Sequence, residues 1–457
     1  MNVSRSMWLL SLGLGCGNDG STHILDAPEV ACVPTGTPIM HSGSITADET
    51  WASGIHEVTS TVTVSGGTLT IAPCSEVRLA ANASIELTPA ATALIAEGTA
   101  QATIHFVRDV ADAAWGHLSA YGPSRMSLAY VTLTGGGTAG DYKTAEQLGA
   151  TLVARGDATL PAILHADHVT VDGSSGIGVF MNSTRFATGS TALTISHSAS
   201  YPILLGADAA SDLPDGIYTG NSTDEILLQS AGTAAAFEQG RTLLADVTIH
   251  DRGVPYRVGI TPQSIVVGDG DAASPKETLT IEAGVTLKFT PEGNSGTSRL
   301  QVRGISTGVT QAALIVAGTA AKPVVFTSAA AIPAAGDWQG LELNNAIDPT
   351  TAIDHARIED AGGPSYSRGV CEWKPNAGDF NASSSLLISL AANQVPPSAF
   401  VTNTAFSAGA GAGVYRGWNV ADVDFLATNS FVAIAGCLET NVPNALNVCP
   451  TTTCPVN

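Results

Sequence analysis

Residues 93–106 and 313–326 align without a gap and agree at 7 of 14 positions. The shared phrase is Ala93-Leu-Ile-Ala-Glu-Gly-Thr-Ala100 against Ala313-Leu-Ile-Val-Ala-Gly-Thr-Ala320, each followed by a short apolar strand ending in Phe106 or Phe326. A chain that repeats a strand-rich unit usually stacks the coils of one solenoid. The repeat extends on both sides. Thr68-Leu-Thr-Ile71 and Val77-Arg-Leu79 recur as Thr278-Leu-Thr-Ile281 and Leu287-Lys-Phe289. Trp115-Gly-His-Leu118 answers Trp338-Gln-Gly-Leu341, and Leu128–Leu133 answers Ile353–Ile358. The offset drifts from 210 at Thr68 to 220 at Ala93 and 223 at Trp115, as insertions in loops between short strands would produce. This gives two homologous blocks, about 60–195 and about 270–436, joined by a β-rich bridge, 196–269.

The strands read by period two: Leu69 and Ile71, Val77 and Leu79, Ile85 and Leu87, Leu300 and Val302, Leu341 and Leu343. No 12-residue window combines a 3.6 period with caps. The chain holds 48 Gly and 23 Pro, and turns such as Asp269-Gly-Asp271 and Glu292-Gly-Asn-Ser-Gly296 suit tight corners. Aromatics make up 5% of the chain, little for the core of a large sandwich but enough for a narrow column of Val, Ile, Leu, Ala and Thr. The expected fold is all-β, a parallel β-helix over 59–436; tandem β-sandwiches are the alternative. At roughly 20–30 residues per coil, that length gives about 13–20 coils and a rod about 60–95 Å long.

One order of phrases carries a resemblance. Leu-Thr-Ile, an apolar-Lys-Phe strand, Leu-Ile-x-x-Gly-Thr-Ala, Lys322-Pro-Val-Val-Phe-Thr-Ser328, Gly336-Asp-Trp-Gln-Gly340 and an Arg-Ile strand stand in that order over Thr278–Gly363. This resembles bacterial right-handed parallel β-helix surface proteins, many of them lipoproteins or secreted proteins. The first block is a degenerate copy, with Gln101-Ala-Thr-Ile-His-Phe106 and Ala114-Trp-Gly116 in the same places. The resemblance implies a right-handed β-helix and carries no catalytic motif.

Residues 1–15 have the layout of a signal peptide: Arg5, then the apolar run Met7–Gly15. Nine residues are too few to span a bilayer. Cys16 follows directly, as in a lipoprotein cleavage site, although Gly13 and Leu14 depart from the usual pattern. Cys16 is therefore the expected lipidated residue, with ordinary signal-peptidase cleavage as the alternative. Residues 16–58 form a tether and N-terminal arm, and 437–457 a cysteine-containing tail. The expected address is extracytoplasmic, in the cell envelope as an outer-membrane lipoprotein or at the cell surface, with membrane contact only through the lipid. Without Cys16, six cysteines remain, an even set suited to an oxidising compartment. The expected pairs are Cys32–Cys74, Cys371–Cys437 and Cys449–Cys454. Zinc is disfavoured because no Cys-x-x-Cys occurs.

The net charge is −21, from 40 acids and 19 bases. Nucleic acid is excluded as a partner, because phosphate binding needs a basic surface. Calcium is the candidate cofactor, with Asp269, Asp271, Asp208, Asp212 and Asp215 as candidate ligands, near Asp224 and Glu225. No EF-hand or Gly-Gly-x-Gly-x-Asp array is present. Two polar clusters are candidates for chemistry: His165-Ala-Asp-His168 with Asp172, and Asp354-His355 with Glu359-Asp360. Strand alternation puts Asp167 and His168 on opposite faces. Trp115 and Trp338 are candidates for stacking on sugar, against a structural role in the repeat. No Gly-x-Ser-x-Gly, His-Glu-x-x-His, Walker or dinucleotide motif occurs. No catalytic residue is assigned. The expected function is a non-catalytic surface β-helix that presents a lateral face to a polysaccharide or a surface protein. A carbohydrate-active enzyme and a structural spacer are the alternatives.

Overall fold

Alternating apolar residues make these segments strands, and each strand finds its partner one coil away. The computed structural model describes residues 32–138, 149–157, 159–229, 242–243, 245–291, 298–365, 371, 383–391, 394–397, 400–419 and 421–457. One turn of the chain runs through Thr68–Ile71, Ser75–Leu79 and Ile85–Leu87, and the next through Ala93–Glu97, Ile104–Arg108 and Leu118–Tyr121. Each strand lies parallel on its equivalent, with Leu69 opposite Leu94, Val77 opposite Phe106 and Ile85 opposite Leu118. Three faces result. The chain is a right-handed parallel β-helix built from two homologous blocks.

The inward row of the first face shows what holds the stack. Leu69, Leu94, Met126 and Leu164 follow one another in register and are buried. Burying each such side chain is worth about 1.5–3 kcal/mol. Trp115 and Trp338 occupy equivalent corners and are fully buried. Their indole N–H groups donate to Thr134 O and Glu359 O, both at 2.8 Å. Neither ring reaches solvent, so the expectation of sugar stacking at Trp115 and Trp338 is corrected: both are structural.

The corners repeat as regularly as the strands. Gly135, Gly173, His197 and Gly220 all have positive φ and stack over one another; Gly135, Gly173 and His197 each donate an N–H to the next coil, the last of them to Gly220 O. Arg108 laces three coils there, donating to Ala111 O at 3.2 Å, Gly135 O at 2.9 Å and Gly173 O at 3.3 Å. A Cβ at Gly135 would lie 1.9 Å from Arg108 Nε, which explains glycine at that corner. Arg108→Ala is expected to cost about 1–3 kcal/mol, read as a lower urea midpoint. Arg108→Lys should recover little, because an ammonium lacks the planar fork.

The blocks meet at a dislocation. On the first face, the 3-10 helix Ala207–Asp212 stands between Arg185–Phe186 and Val247–Ile249 in place of a strand. Thr248 N–H donates to Ser211 Oγ at 2.7 Å, and Arg252 donates to Leu213 O and pairs with Asp215. The second face of the first block ends at Gly216–Ile217, which among the described residues pairs only with Leu193 and Thr194. The third-face strand Ile226–Gln229 instead carries Tyr256–Val258, which then supports Thr286–Phe289 on the second face of the second block. The third face of one block thus continues as the second face of the other.

Three disulfides tie the ends. Cys32 pairs with Cys74, Cα atoms 5.8 Å apart, and Cys32 N–H donates to Gln101 O, so the arm is pinned to early coils. The other two pairings differ from expectation. Cys437 pairs with Cys454 and Cys371 with Cys449, in place of Cys371–Cys437 and Cys449–Cys454. The tail causes this by returning over the last coil. Leu438 N–H donates to Pro455 O, which lays Cys454 beside Cys437. Cys16 lies outside the described residues.

Candidate functional site

Outward side chains also stack into rows, and one row crosses the dislocation unbroken. It runs Glu86, Ser119, Val153, Phe180, Leu204 and Leu227 in the first block, then Arg257 and Lys288 in the second. Its middle is apolar. Val153, Leu204 and Leu227, with Ala150 and Ile177, form a buried cluster outside the coil, and Phe180, Tyr201 and Ile260 pack on it. The Arg155 guanidinium lies 5.2 Å from the Phe180 ring centre and 5.9 Å from that of Tyr121. Such contacts add about 0.5–1 kcal/mol each.

Where the row passes from Leu227 to Arg257, its chemistry changes. Arg257 and Lys288 project from adjacent coils, about 4.8 Å apart along the stack. Glu225 lies between them. Lys288 Nζ donates to its Oε1 at 2.7 Å, and Arg257 Nη1 lies 3.7 Å from its Oε2. Tyr201 completes the group. Burial pushes its phenol pKa up, with Arg257 opposing and Glu225 adding, so the hydroxyl keeps its proton at neutral pH. Two cations face one carboxylate, a local excess of positive charge in a chain of net charge −21. The Lys288 side chain keeps 31% of its exposure and Arg257 20%, so solvent reaches both. The arrangement can hold an anionic or hydroxyl-rich group against an apolar wall.

The sequence-expected clusters resolve differently. His168 and His355 each turn a corner with positive φ, 52° and 49°. The corner folds each imidazole back onto the preceding carboxylate, with His168 Nδ1 2.7 Å from Asp167 Oδ1 and His355 Nδ1 2.9 Å from Asp354 Oδ2. Asp167 and His168 therefore form a contact pair, which corrects the expectation of opposite faces. Asp172 belongs elsewhere, bonded to Ser196 Oγ at 2.8 Å and His197 Nδ1 at 2.6 Å. His165 Nδ1 lies 3.4 Å from Ser127 Oγ, which donates to Glu97. Asp354 loses solvation, yet bonds from Thr402, Asn403 and His355 hold its carboxyl below the usual range. A general acid needs the opposite shift. Glu359 pairs with Arg357, and Asp360 accepts from Thr327 Oγ1 at 2.7 Å.

The five candidate calcium ligands are spent on separate local tasks. Asp269 accepts from Asp271 N–H at 2.7 Å and from Ser274 Oγ, and Asp271 accepts from Ala273 N–H at 3.0 Å. Asp212 faces Arg185 at 3.9 Å, and Asp215 pairs with Arg252. Asp208 is buried in the 3-10 helix, where burial raises its pKa to about 6 and works against the ionised form that calcium needs. Among the described residues, no three His, Cys, Asp or Glu side chains converge as a metal site would require.

No curated protein and no solved structure matches the chain. A family model described as a pectate-lyase like beta helix domain matches residues 269–359, the coils that carry Glu277–Glu282 through Ala356–Glu359. Together with the parallel ladders, that match makes the chain a β-helix repeat protein.

Proposed function

We propose that the chain is a non-catalytic, extracytoplasmic β-helix, anchored through Cys16, that presents a lateral face to a polysaccharide or to a surface protein. The observation that carries this reading is the outward row running from Phe180 through Leu227 to Arg257 and Lys288, with Tyr201 and Glu225 beside it. A linear polymer lying along the rod would meet an apolar stretch and then a cationic one, one coil per step of about 4.8 Å. Three disulfides support an oxidising compartment. The non-catalytic part rests on the carboxylates: Asp167 and Asp354 are engaged by their neighbours, and Asp354 is held in its ionised form.

A glycan array probed with the folded full chain, with calcium and with chelator, tests the reading. The expected result is binding that survives chelator and falls at least about tenfold in the Arg257→Ala, Lys288→Ala double variant, a loss of about 1.4 kcal/mol. Release of new reducing or unsaturated ends from a bound polymer would replace this reading with a carbohydrate-active enzyme. A blank array from folded protein would remove the polysaccharide and leave a protein partner.

A further inference from the structure

Among the described residues, the terminal strand at each end of the rod carries no acidic side chain. From Phe425 to Asn457 the only charged side chain is Glu439, which is buried 3.2 Å from Arg416. From Cys32 to Ala47 there is no Asp, Glu, Lys or Arg. Among the described residues, self-repulsion in a chain of −21 thus falls on the lateral faces and the coils next to the ends rather than on the end strands themselves.

Each end also offers an open strand edge. Among the described residues Ile39–Ile45 pairs only with Gly54–Val64, and Ser430–Ile434 only with Ala405–Gly409. Natural edge strands are commonly blunted by charge or proline. Neither of these segments, Ile39-Met-His-Ser-Gly-Ser-Ile45 and Ser430-Phe-Val-Ala-Ile434, contains either. Seven of the twelve large hydrophobic side chains exposed among the described residues fall within 33–40 or 432–456. Met40 is 69% exposed at one end, and Val432 63% at the other. A terminal repeat in a solenoid normally turns a polar face outward. Here the C-terminal coil is fastened by Cys437–Cys454 and by Asn457 Nδ2 to Ile434 O, yet Val432 and Val456 point into solvent.

We propose that the two ends fit each other: Ser430–Ile434 of one copy adds a parallel rung to Ile39–Ile45 of the next. The partner is a second copy of this chain, joined head to tail. Every named strand in the rod already stacks in parallel, and pairing the two uncharged end strands continues that stack without setting like charges directly opposite each other. Such a contact is heterologous, so it propagates rather than closes.

Sedimentation velocity on the full chain over a concentration series tests this, with Met40→Lys and Val432→Lys as end-blocked variants. Both positions are exposed, so neither lysine is buried on folding, and circular dichroism of each variant confirms the fold. The native chain is expected to grow in mass with concentration. Each variant alone should remain monomeric, and an equimolar mixture should form dimers and nothing larger, because only one unblocked head can meet one unblocked tail. A native chain that stays monomeric, a mixture that stays monomeric, or one variant that dimerises alone through two like ends would each overturn the proposal.

Discussion

Asp208→Asn is expected to stabilise the protein at neutral pH by up to about 3 kcal/mol, the equivalent of a shift of roughly two pKa units. Asp208 is 8% exposed inside the 3-10 helix at the block junction. Burial is the main cause of its raised pKa, about 6 against 3.8, and the backbone N–H groups of Asp208 and Ala209 only partly offset it. The folded state therefore holds this proton more tightly than the unfolded chain does. Stability contributed by the group is complete below the unfolded value of 3.8, declines as pH rises, and is lost above about 6. Asparagine keeps an acceptor for the same N–H groups and carries no charge. The gain in urea midpoint should be full above pH 6 and vanish towards pH 4, which distinguishes it from a packing effect.

Trp338→Ala should cost about 3–5 kcal/mol, more than the loss of the Arg108 lacing. The ring is fully buried and lies flat on Phe289, centroids 4.3 Å apart and planes 4° from parallel. Its N–H also satisfies Glu359 O, so alanine leaves a cavity and an orphaned carbonyl together. Trp338→Phe keeps an aromatic ring and loses only the hydrogen bond and some volume, and should cost about 1–3 kcal/mol. Far-UV circular dichroism in urea reads both variants without relying on indole fluorescence. Trp115→Ala should behave alike, since its N–H meets Thr134 O in the corresponding corner.

The fold was legible because a stacked coil constrains inward residues most. Leu94 and Leu314, Phe106 and Phe326, and Trp115 and Trp338 recur because each fills the same narrow column. Outward rows are harder to read. Leu227, Arg257 and Lys288 touch in space but lie some thirty residues apart, at spacings set by loops of unequal length. The change of face at the junction also breaks the alignment that would have brought the three together. The histidine corners show a third limit. Alternation predicts opposite faces for Asp167 and His168, but a left-handed residue between two strands cancels it. The cysteines show a fourth. Proximity in the chain favoured Cys449–Cys454, whereas the returning tail decided which thiols met.

The change of face also bears on how the rod comes apart. Within a block, three ladders couple each coil to the next. Across the junction, the described residues carry one continuous ladder, Ile226–Gln229 to Tyr256–Val258, while the helix and the Arg252 clamp replace a second and the third stops at Ile217. In a solenoid, cooperativity is the sum of nearest-neighbour couplings. The seam is therefore the place where an unfolding front is expected to lose its drive, so that the two blocks open as separate foldons. Damage that melts one block can leave the other standing.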